Sequence, residues 1–67
     1  MQFTLKAARV NKNLTQKQAA KLLKIGVATL QRWENGISVP NAIHIKNLEA
    51  VYGIPFKDIS FVAEKTF

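Results

Sequence analysis

The chain contains no cysteine. Disulfide staples and thiolate metal sites are therefore excluded, and a reducing cytoplasm is the expected setting. It has a single histidine, His44, with no cysteine or acid at ligand spacing, so no metal and no other cofactor is expected. No apolar run approaches the roughly 20 residues that a membrane-spanning helix requires, and the N-terminus lacks a signal-peptide pattern. There is no glycine-rich phosphate loop. Thr29, Ser38 and Thr66 have no neighbouring base to activate them, and Glu34 has no second carboxylate or histidine beside it, so an enzyme is not expected. Repeats and low-complexity segments are absent too. The most informative scarcity is of acids: the chain holds four, and none lies in the first 33 residues.

That first half carries Lys6, Arg9, Lys12, Lys17, Lys21, Lys24 and Arg32, a charge of +7. Residues 34–67 set Lys46, Lys57 and Lys65 against Glu34, Glu49, Asp58 and Glu64, a charge of −1. A basic half joined to a neutral one implies a polyanionic partner on one side of the molecule. With 67 residues, 48% of them apolar, the chain is expected to fold as one globular domain spanning 1–67. Its initial Met, and an end without a Ser/Gly/Pro linker, are read as marking a whole short protein and not a fragment of a longer one.

Thr15 to Gly36 organises everything else. Thr15 and Gln18 have the spacing of a capping box, after which Ala19, Ala20, Leu22 and Leu23 give an inward apolar face. Lys24-Ile25-Gly26 interrupts the pattern. A second helix keeps Leu30 and Trp33 on one side and stops at Asn35-Gly36, where glycine suits a left-handed terminus. Two helices of about two turns, joined by about three residues, make a helix-turn-helix. Neither is stable alone, so the remaining chain must pack on them.

Around this unit, Thr4 is the expected N-cap of a helix reaching about Lys12, with Leu5 and Ala8 inward, and Asn13 tolerates the left-handed turn that follows. Asn41 caps a helix over residues 42–52 carrying Ile45, Leu48 and Tyr52 on one stripe, closed by Gly53. Pro55 opens a short fifth helix from Phe56 to about Ile59. Met1-Gln2-Phe3 could pair as an edge strand. The expected fold is an all-α, five-helix domain with a weakly strand-like tail over residues 61–67.

The uninterrupted run from Leu14 to Gly36, with its LTQ opening, small Ala20 and closing ENG, resembles the phage-repressor (Cro/CI, XRE) helix-turn-helix family. The similarity extends from about Leu5 to Ile59. It implies a lambda-repressor-like fold and a sequence-specific regulator of double-stranded DNA. Such regulators are typically small repressors from phage or mobile elements, binding a near-palindromic operator as a homodimer. The family usually has glycine where this chain has Lys24, and serine or threonine where it has Gly26. Lys24 is therefore expected at positive φ, and Gly26 without a side-chain cap.

With Leu30 and Trp33 inward, the face of the recognition helix offered to base edges carries Val27, Ala28, Gln31 and Arg32. Arg32 can donate two bonds to guanine, Gln31 can pair with adenine or a phosphate, and Val27 and Ala28 can meet only a thymine methyl or admit the backbone. Trp33 is read as core and not as a base-stacking platform. The resemblance assigns Gln16 to a backbone phosphate, with Gln31 or the groove as its other partner. It also pairs Arg9 with Glu34 as a structural ion pair. Lys17 stands at a helix N-terminus that favours anions, and Asn35 and Ser38 are further phosphate candidates. Phe61 and Phe67 of the tail are either frayed or a dimer contact, with the contact favoured. No small-molecule ligand is evident. The competing reading, from a different class, is an antitoxin-like interaction module that uses the helix-turn-helix as a scaffold.

Overall fold

Four α-helices carry the described residues, and most of their starts and stops have a local cause. The computed structural model describes residues 3–61. After a two-residue strand β1 (Phe3–Thr4) come α1 (Leu5–Asn11), α2 (Gln16–Leu23), α3 (Val27–Glu34) and α4 (Ala42–Tyr52). A single 3-10 turn (Phe56–Asp58) then leads into a second short strand, β2 (Ile59–Ser60). Thr4 Oγ1 accepts from the Ala7 N–H at 3.1 Å, and Asn41 Oδ1 accepts from the His44 N–H at 3.0 Å, so α1 and α4 begin on side-chain caps. At α2 the box is complete: Thr15 Oγ1 accepts from the Gln18 N–H at 3.1 Å, and Gln18 Oε1 accepts from the Thr15 N–H at 2.9 Å. The start of α3, at Gly26, has no side-chain cap.

The first three helices end alike. At each one a residue with positive φ (Asn13 at 58°, Lys24 at 59°, Gly36 at 72°) donates to the carbonyl three residues back. The following residue donates five back: Leu14 to Arg9 at 3.3 Å, Ile25 to Ala20 at 3.0 Å and Ile37 to Arg32 at 2.9 Å. This double bond pattern consumes carbonyls that the helix leaves open and reverses the chain within two residues. Asn tolerates the left-handed region and Gly occupies it freely, whereas Lys24 sits there against its preference. Helix α4 ends more simply, on Gly53 at φ 68° with one bond to the Glu49 carbonyl.

The core is a single cluster drawn from every helix: Leu5 and Ala8, Ala19, Ala20 and Leu23, Leu30 and Trp33, Leu48 and Tyr52, closed by Ile54 and Ile59. Trp33 lies against His44, ring centroids 5.2 Å apart. Leu22 departs from the expected inward face and is 57% exposed. At about 100° per residue, Ala19, Ala20 and Leu23 fall within one sector, and Leu22 lies about 110° from its centre.

The fifth helix is not formed. Between Pro55, whose backbone is extended, and β2 there is room for one turn only. Its first N–H, that of Phe56, is taken by the Glu49 carboxylate at 2.7 Å, which fixes the turn to α4. Nor is the domain purely helical, because β1 pairs in parallel with β2, Phe3 beside Ile59 and Thr4 beside Ser60. Of the edge strand expected over Met1-Gln2-Phe3, Phe3 is paired, together with Thr4, and its partner lies inside the same chain. Met1, Gln2 and residues 62–67, including most of the expected tail strand, lie outside the described residues.

Candidate nucleic-acid interface

Burial of Leu30 and Trp33 fixes the rotation of α3, and the opposite surface follows from it. Ala28, Gln31 and Arg32 are exposed. Val27, expected with them, is half-buried and packs against the core, so it sits at the edge of this face and not at its centre. Gly26 is exposed, and a Cβ built there would meet nothing within 4 Å. With Gly26 and Ala28 small, the first turn of α3 presents backbone close to the surface.

One polar network ties this face to the other helices. Arg9 on α1 clasps Glu34 on α3, Nε to Oε2 at 2.8 Å and Nη2 to Oε1 at 3.3 Å. Its remaining nitrogen, Nη1, donates to the Leu14 carbonyl at 2.8 Å in the connection between α1 and α2. The pair is shielded, with side chains 10% and 3% exposed. Gln16, the first residue of α2, donates Nε2 to Glu34 Oε1 at 3.1 Å, and its Oε1 accepts from Gln31 Nε2 at 3.3 Å. Arg9, Glu34, Gln16 and Gln31 therefore form a chain of bonds from the core of the domain to its exposed face. Gln16 is held at both ends of its amide, and Gln31 keeps its Oε1 and one N–H available for a ligand.

Beneath the network lies Tyr52. Its hydroxyl is buried with no hydrogen-bond partner among the described residues. Burial foremost, then the Glu34 charge, pushes the phenol up to about 12, and the Arg9 charge opposes them.

The electrostatics of this side are positive. Of the basic residues in the first half, Lys6, Lys12, Lys17, Lys21, Lys24 and Arg32 are all exposed, while Arg9 is spent on Glu34. The capping box takes the N–H groups of Thr15 and Gln18, which leaves those of Gln16 and Lys17 as open donors at the N-terminus of α2. Asn35 is exposed and Ser38 half-buried, both in the segment leaving α3. Phe61 is half-buried and turned onto Phe56 of its own chain, ring centroids 5.7 Å apart; Phe67 is outside the described residues. Among the described residues no cluster of His, Asp or Glu is arranged to hold a metal ion, and no helix is long and apolar enough to cross a membrane.

The link from Gln16 to Glu34 is the site feature that spacing alone does not disclose, because it joins residues on different helices. Comparison with known proteins bears on the whole arrangement. Neither the curated proteins nor the solved structures return a match. A family model described as helix-turn-helix, however, matches residues 5–59. That span begins with the core residue Leu5 and ends at Ile59 in β2, enclosing every helix and every residue of the polar network. The chain belongs to the helix-turn-helix family of the Cro/CI-like (XRE) type, whose members bind double-stranded DNA.

Proposed function

We propose that the protein is a sequence-specific transcriptional repressor that binds a near-palindromic operator as a homodimer. The observation carrying this reading is the outward face of α3, with Gln31 braced by Gln16 and Arg32 exposed beside it. In a major groove, Arg32 donates its two parallel N–H bonds to guanine O6 and N7, a discrimination worth about 1–3 kcal/mol. Gln31 offers adenine an acceptor and a donor. Its orientation is set before DNA arrives by the bond to Gln16, so less side-chain freedom is lost on binding. Ala28 contributes a methyl contact to thymine or simply close approach, with Val27 at the rim. The N-terminus of α2, with Gln16 and Lys17, grips a phosphate, and Asn35 and Ser38 grip another beyond α3; these set register without reading sequence. Occupying a promoter is then sufficient for repression, acting in the cytoplasm without cofactor or catalysis.

The test is selection from a library of genomic duplex fragments against random duplex, at two salt concentrations, with wild type and Arg32→Ala. An enriched inverted repeat, affinity falling steeply with salt, and loss of sequence preference in Arg32→Ala are expected. Equal affinity for every duplex, with no effect of Arg32→Ala, defeats the reading.

A further inference from the structure

We propose that Ile37, Val39 and Ile43 form the surface on which a second copy of this chain docks; the inference rests on the DNA-binding reading above. The three similar helix ends make the case. The residue after each left-handed position is apolar: Leu14, Ile25 and Ile37. Leu14 and Ile25 turn back and pack against the core, the contact that normally accompanies this motif. Ile37 does not. It is held by the 2.9 Å bond from its N–H to the Arg32 carbonyl, yet it is 72% exposed. Val39 and Ile43 follow at 65% and 71%. One exposed apolar side chain is ordinary, but three within seven residues, the first fixed by the helix end, constitute a surface.

Charge identifies the occupant. Residues 35–45 contain no Lys, Arg, Asp or Glu, the longest uncharged run in the chain. A protein of net charge +6 repels its own copy wherever its basic half would face the basic half of the other. An acidic partner gains nothing from an uncharged patch and would be drawn to the basic face instead. Dimensions agree with a second copy. The domain measures 33 × 24 × 23 Å, and successive major grooves lie about 34 Å apart, so copies on neighbouring half-sites stand within side-chain reach. The patch joins α3 directly through Gly36, and contact there sets the spacing of the two recognition helices. Phe61 is committed to Phe56 within its own chain.

The full chain is compared as wild type, as Val39→Ser/Ile43→Ser, and as Leu22→Ser, an exposed apolar control elsewhere. Two assays are used: sedimentation equilibrium from micromolar to millimolar protein, and binding to half-site and full inverted-repeat duplexes. Circular dichroism melts verify that all three fold. The double variant should weaken self-association and cooperative filling of the full site roughly tenfold or more, with half-site affinity unchanged and Leu22→Ser like wild type. Unchanged association in the double variant overturns the proposal. So does a wild type that stays monomeric and fills half-sites independently. If selection yields no preferred duplex, the DNA reading fails while the sedimentation result still judges the patch.

Discussion

Replacing Arg9 with methionine should do more damage than replacing Arg9 and Glu34 together. In Arg9→Met the Glu34 carboxylate, 3% exposed, keeps among the described residues only the neutral amide of Gln16 as a partner, and the Leu14 carbonyl loses its donor. An unpaired charge left behind in this way costs about 3–5 kcal/mol. For a chain of 67 residues the whole folding free energy is roughly 3–10 kcal/mol. Arg9→Met and Glu34→Leu should each therefore approach the limit of folding. The double variant strands only the Gln16 amide, which is half-buried and near water, and the Leu14 carbonyl; that loss is about 1–3 kcal/mol. The coupling energy should accordingly exceed about 3 kcal/mol, because simple addition of the singles predicts no folded protein at all. Urea titration read by Trp33 fluorescence and circular dichroism, in sulfate buffer near 15 °C, keeps all four species on scale. The reasoning is refuted if each single change costs under about 1 kcal/mol and the two add, which is how a solvated surface pair behaves.

Tyr52→Phe should match wild type at pH 8, since the hydroxyl it removes has no partner among the described residues. Because the folded phenol, at about 12, holds its proton above the ordinary value of 10, wild-type stability is intact below pH 10 and declines above it. The slope reaches about 1.4 kcal/mol per pH unit as the unfolded state ionises first. Urea midpoints at pH 8 and 11 should show Tyr52→Phe spared this decline, and equal declines would contradict the assignment. Lys24→Gly relieves the left-handed strain at φ 59° and should leave stability equal or raise it by up to about 1 kcal/mol, whereas Lys24→Val should lower it; thermal melts decide. Gly26→Asp has open space for its side chain and supplies the missing cap of α3, so it should raise the melting temperature by a few degrees. The same anion at the front of the recognition helix should weaken DNA binding, so stability and affinity must move in opposite directions.

Those features legible from the chain alone were the ones settled within four residues. The Thr15–Gln18 box, the Asn41 and Gly53 limits of α4 and the left-handed Asn13 depend on neighbours in sequence, so residue type suffices to read them, whereas the left-handed Lys24 runs against its residue type and was legible only through the family resemblance. The features that differed from expectation depend on contacts across the fold. A fifth helix was expected because Pro55 permits one, but Glu49 of α4 holds the Phe56 N–H and β2 claims Ile59. Leu22 belongs to a helical pattern too short to distinguish its core face from the flank. At the interface, rotation of α3 was readable from Leu30 and Trp33, and the exposure of Ala28, Gln31 and Arg32 followed. The half-burial of Val27 and the bracing of Gln16 by Glu34 were not readable, since each requires the angle between two helices.

The parallel pairing of Phe3–Thr4 with Ile59–Ser60 also has a consequence in time. Its strands come from opposite ends of the domain, so closing them before the helices stack would restrict almost the whole chain for very few bonds. The helices and their short connections can form locally and fast, and the ladder has reason to close only once α1 and α4 already hold its strands near each other. Interactions made after the rate-limiting step leave refolding untouched and act as a latch against escape. Weakening the ladder, as Ile59→Ala would, should therefore shorten the lifetime of the folded protein while its refolding rate stays the same.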